Sequence, residues 1–61
     1  MNADEHRLFA LNAVSKILDY FEKWASLSAP QQVEALKEVE EQAMIARMAM
    51  QRVVDIERGA Q

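Results

Sequence analysis

The chain has no cysteine, a single proline (Pro30), a single glycine (Gly59), a single histidine (His6) and only four aromatic residues. Each scarcity removes a class of explanation. Without cysteine there are no disulfide staples and no thiolate metal site, so a chain of 61 residues lacks the usual means by which very small domains hold together without a partner. One glycine near the C-terminal end cannot form a glycine-rich phosphate loop. Charged residues interrupt every apolar run, and nothing approaches the roughly 20 apolar residues needed to cross a bilayer. The opening Met1-Asn2-Ala3-Asp4-Glu5-His6-Arg7 is polar and acidic, unlike a secretory leader, so a cytoplasmic location with no membrane association is expected. Seven basic residues against ten acidic ones give a formal charge of -3, which disfavours nucleic acid as a default partner.

What the chain does have is helix periodicity on both sides of one stop signal. Leu27-Ser28-Ala29-Pro30-Gln31 lies near the midpoint. Ser28 and Gln31 have the spacing of a capping box, in which serine caps the new helix and glutamine reaches back to the cap. Pro30 is tolerated in a first turn, where backbone N–H groups lack helical partners, and it opposes uninterrupted helix through this point. The pattern predicts a single all-α domain over residues 1–61, a two-helix antiparallel hairpin. Helix one is expected at about 3–27, the turn at about 27–29 and helix two at about 29–58. The arms would be about 37 and 45 Å long.

In the first arm Asn2 and Glu5 mark the start. Leu11, Val14, Leu18, Phe21 and Ala25 form one seam, and Ala10, Ala13, Ile17, Tyr20, Trp24 and Leu27 form a second beside it. Two seams on one helix require two neighbours. The rest of the circumference carries Glu5, Asn12, Ser15, Lys16, Asp19, Glu22, Lys23 and Ser26, a solvated face on which Asp19 and Lys23 have ion-pair spacing. Leu8 and Phe9 interrupt it near the N-terminal end.

In the second arm Leu36, Val39, Ala43, Ala46, Met50 and Val53 recur at alternating steps of three and four, with Val54 alongside. Ala35, Ala43, Ala46 and Ala49 leave room for Ile17, Tyr20, Phe21 and Trp24. Acids gather in the first half of this arm and Arg47, Arg52 and Arg58 in the second, as the helix dipole favours. Gly59 would supply a left-handed cap, with Ala60 and Gln61 frayed beyond it. Off the seam lie Met44, Ile45 and Met48, an adaptable apolar cluster suited to contact with a partner.

Such a hairpin is expected to dimerise into a four-helix bundle. The dimer and core residues would be Leu11, Val14, Ile17, Leu18, Tyr20, Phe21, Trp24, Leu36, Val39, Ala43, Ala46, Met50 and Val53. Leu8, Phe9, Met44, Ile45 and Met48 are the candidate contacts to a foreign protein. In length and hairpin plan the chain resembles the Rop repressor family of plasmid copy-number control. Phe21-Glu22-Lys23-Trp24, leading to Leu27-Ser28-Ala29 and Gln32, is similar to that family's segment across its turn, about a dozen residues of common helix-forming types. The resemblance implies a dimeric bundle whose paired first helices grip looped RNA through basic, amide and aromatic side chains. Here the corresponding face has Asn12, Lys16 and Lys23, with Arg7 near it, but also Glu5, Asp19 and Glu22, and no central aromatic.

Catalysis and cofactors are not expected. His6 adjoins Asp4 and Glu5, but consecutive helical positions do not converge on one metal ion. Ser15, Ser26 and Ser28 have no histidine at helical spacing to activate them. Glu34, Glu38 and Glu41 share one side of the second arm but lack the Glu-x-x-His spacing of carboxylate-bridged metal sites in bundles. The expected function is therefore that of a small non-enzymatic regulatory or adaptor protein. It would bind another protein as a homodimer through apolar helix faces, as inhibitors or modulators encoded by phages or plasmids do. The alternatives are a Rop-like RNA-binding dimer and a secretion-type chaperone or oligomerisation module.

Overall fold

The computed structural model describes residues 2–59. Helix α1 spans Ala3–Glu22 and helix α2 spans Ala29–Gly59, joined by a 3-10 turn at Trp24–Ser26. The helices pack against each other as an antiparallel hairpin. It is a rod of 49 × 15 × 13 Å with a radius of gyration of 14.3 Å. A globule of the same length would have a radius of gyration of about 10.5 Å.

Both start signals form. The Asn2 side chain accepts a hydrogen bond from the Glu5 N–H at 2.9 Å. The Ser28 N–H donates to Gln31 Oε1 at 2.9 Å, while the Gln31 N–H donates to Ser28 Oγ at 3.3 Å. This is the reciprocal capping box, and Pro30 sits in the first turn behind it.

The first arm stops sooner than the periodicity predicts, at Glu22 rather than near residue 27. Lys23 leaves helical geometry with φ -98° and ψ 10°. Its carbonyl then accepts from both the Ser26 N–H (3.0 Å) and the Ser26 hydroxyl (2.7 Å). A serine that bonds locally to the backbone competes with helix propagation. The tightened turn ends at Leu27, whose extended backbone (φ -85°, ψ 142°) delivers the chain to Ser28.

At the other end Gly59 has no positive φ and belongs to the last turn of α2, so the expected left-handed cap is absent at that residue. Glycine permits that conformation without imposing it. The fraying expected of Ala60 and Gln61 concerns positions outside the described residues.

The fully buried part of the hairpin seam is made of small side chains. Its buried residues are Ala10 and Ala13 of α1 and Ala35, Ala49 and Val53 of α2. Ile17, Tyr20, Trp24 and Leu27, with Gln32, Val39, Gln42 and Ala46, are half-buried. A buried methyl contributes about 0.8 kcal/mol, whereas a fully buried leucine, phenylalanine or methionine contributes about 1.5–3 kcal/mol. The full burial in the seam thus comes from small side chains, and the larger ones, Ile17, Tyr20, Trp24 and Leu27, are only partly covered.

Candidate protein-binding surface

The apolar residues outside the seam follow a simple rule. Nearly every seam residue is followed, one position later, by a residue of the outer set. Ala10, Ala13, Ile17 and Tyr20 precede Leu11, Val14, Leu18 and Phe21; Ala35, Gln42, Ala49 and Val53 precede Leu36, Ala43, Met50 and Val54. One position is about 100° around a helix. Two antiparallel helices that face each other both turn to the same side of the hairpin by such a step, so these residues share one flank. The Arg7–Glu57 ion pair, at 3.3 Å, follows the same rule, because Arg7 comes one step after His6 on the seam side of α1 and meets its counterpart across the helices.

The flank is open to solvent. Leu11 is 62% exposed, Leu18 53%, Phe21 51% and Leu36 51%. In the single chain, Leu11, Val14, Leu18, Phe21, Leu36, Ala43 and Met50 are thus exposed, while Ile17, Tyr20, Trp24, Val39 and Ala46 are half-buried and Val53 is buried. Phe21 meets the ring of Trp24 edge-on, with centroids 6.3 Å apart and planes at 66°. The room left by Ala35 and Ala49 lies on the seam side, whereas Ala43 and Phe21 both lie on the outer flank.

The opposite flank is built from residues one step before the seam. Near the turn it is polar: Lys16, Asp19 and Lys23 of α1 lie beside Glu38 and Gln42 of α2 around an open recess. Lys23 sets its ammonium 5.2 Å from the centre of the Tyr20 ring, its neighbour in place of the expected Asp19. Toward the chain termini this flank becomes apolar, where His6, Phe9, Ile45, Met48, Ala49 and Arg52 line a second recess. Three of the five expected partner contacts, Phe9, Ile45 and Met48, are brought together there. Leu8 and Met44, both strongly exposed, do not line it.

The remaining chemical groups have local roles. Ser26 donates to the Lys23 carbonyl and Ser28 caps α2. Among the described residues no group of three or more His, Cys, Asp or Glu side chains could hold a metal ion. No helix among them is long and apolar enough to cross a membrane. Comparison with protein families, with curated proteins and with solved structures finds no match to this chain.

Proposed function

We propose that this chain is a small non-enzymatic regulatory or adaptor protein that acts in the cytoplasm by binding protein, as a homodimer assembled through its apolar flank. One observation carries the reading: the fully buried residues are four alanines and a valine, while Leu11, Leu18, Phe21, Leu36 and Met50 are exposed. The accessible surface is 4774 Å². A compact protein of 7.0 kDa exposes about 4,000 Å², so the rod carries an excess of roughly 700 Å². That is close to the roughly 800 Å² each partner contributes to a standard protein interface. The Phe9, Ile45 and Met48 recess lies on the other flank and stays accessible when two hairpins join, which suits it to a foreign protein.

The RNA-binding alternative has less support. Lys16 and Lys23 share their recess with Asp19 and Glu38, and Arg7 is held by Asp4 at 2.8 Å and Glu57 at 3.3 Å. Phosphate recognition requires a run of cations that such neighbours neutralise.

The test is hydrodynamic. The wild-type chain should sediment at twice its 7.0 kDa mass and melt at a temperature that falls on dilution, as linked folding and association require. Leu18→Asp should shift it to the single-chain mass. A dilute wild type that stays a compact, cooperatively melting monomer would refute the proposal.

A further inference from the structure

The apolar flank is interrupted at two places on α2, and the interruptions have opposite charge. Following the one-step rule, Val39 and Ala46 precede Glu40 and Arg47, so the α2 side of the flank reads Val33, Leu36, Glu40, Ala43, Arg47, Met50 and Val54. Glu40 and Arg47 are exposed, and no ion pair among the described residues includes either. They stand at equal distances on either side of residues 43 and 44. If a second α2 crosses this one antiparallel about that midpoint, residue 40 of each chain meets residue 47 of the other. The same operation sets Val33 against Val54 and brings Leu36 and Met50 within one residue of each other.

Helix α1 gives the same centre independently. An antiparallel crossing about residue 16 sets Leu11 against Phe21 and Val14 against Leu18, which covers all four large side chains of that seam. Lys16 and Gln42 line the same two recesses, so residue 16 of α1 and residues 43–44 of α2 lie within about one helical turn of the same level. One two-fold axis therefore satisfies both helices.

We infer that the occupant of the flank is a second copy of this chain, related by a two-fold axis perpendicular to the rod, with the turns at opposite ends and two reciprocal Glu40–Arg47 ion pairs across the interface. The other way of laying two hairpins face to face, about an axis parallel to the rod, puts α1 on α2. Glu40 would then lie at the level of Leu18 and Phe21, and Arg47 at that of Leu11 and Val14. Charges buried against apolar side chains without a partner are strongly destabilising. The perpendicular axis gives each charge its complement, and complementary charges fix the register of an interface.

This inference rests on the proposed dimer, and the experiment separates the two. Glu40→Arg and Arg47→Glu are made singly and together in the full chain, and self-association is measured by sedimentation equilibrium. Each single variant confronts like charges at both contacts and should associate about tenfold or more weakly than wild type. An equimolar mixture of the two single variants should recover wild-type association as a heterodimer, because one chain then offers only arginine and the other only glutamate. The double variant should recover it as a homodimer. A dimeric wild type whose single variants fail to complement each other would overturn the axis and leave the proposed function standing. A monomeric wild type would overturn both.

Discussion

The Gln32 side-chain amide donates to the Trp24 carbonyl at 3.1 Å, across eight residues and the entire turn. The same carbonyl accepts from the Leu27 N–H at 3.1 Å. One oxygen at the end of the first arm is thus tied both to the turn and to the first turn of α2, which fixes where the second arm begins.

Gln32→Ala should cost about 1 kcal/mol, the net worth of an intramolecular hydrogen bond. Urea unfolding at fixed chain concentration checks it, since association would otherwise enter the midpoint. A loss near zero would mean that water replaces the amide without penalty.

Trp24→Ala should cost about 2 kcal/mol, below the roughly 3–5 kcal/mol of a fully buried ring, because the indole is only half-buried beside Phe21. Indole fluorescence of the wild type should accordingly lie between that of a core tryptophan and that of a solvated one. If its emission matches free tryptophan and the variant melts like wild type, the ring has no packing role.

Gly59→Ala should raise stability by about 0.5 kcal/mol. The glycine has no positive φ, and a methyl group added there meets nothing within 4 Å. Thermal melts of the two proteins at equal concentration give the difference. A destabilised variant would show that the residue leaves helical geometry in solution.

Short RNA hairpins titrated into the protein at about 50 mM salt should give flat curves, because phosphate binding needs basic side chains that are not already offset by neighbouring acids. Tight binding that weakens steeply as salt is added would restore the RNA reading.

The ends of the helices were the most legible part of the fold. Asn2 with Glu5, and Ser28 with Gln31, act through neighbours three positions away, and sequence spacing records such contacts directly. Long-range choice was less legible. In α2 the seam runs through Gln32, Ala35, Val39, Gln42, Ala46, Ala49 and Val53, while the more apolar series with Leu36, Ala43 and Met50 has the same steps of three and four. Periodicity alone does not separate two stripes that differ by a rotation of one residue. The available signal was size: Ala10, Ala13, Ala35 and Ala49 permit the close approach that Leu11, Leu36 and Met50 would block. In the candidate surface, Phe9, Ile45 and Met48 meet because one precedes a seam residue of α1 and the others precede seam residues of α2. Leu8 and Met44 are each further round their helices, which mere proximity in sequence concealed. The early end of α1 accompanies the Ser26 hydrogen bonds to the Lys23 carbonyl, contacts that residue-type propensity does not resolve.

An alanine-lined junction between the arms also bears on how long a newly made chain survives. With only Ala10, Ala13, Ala35, Ala49 and Val53 fully buried among the described residues, a solitary hairpin has few core contacts to resist opening, and opened chains are what proteases cut. Under the proposed dimer, the steady amount of this protein would depend on how quickly each copy meets another, and its abundance would rise more steeply than its rate of synthesis.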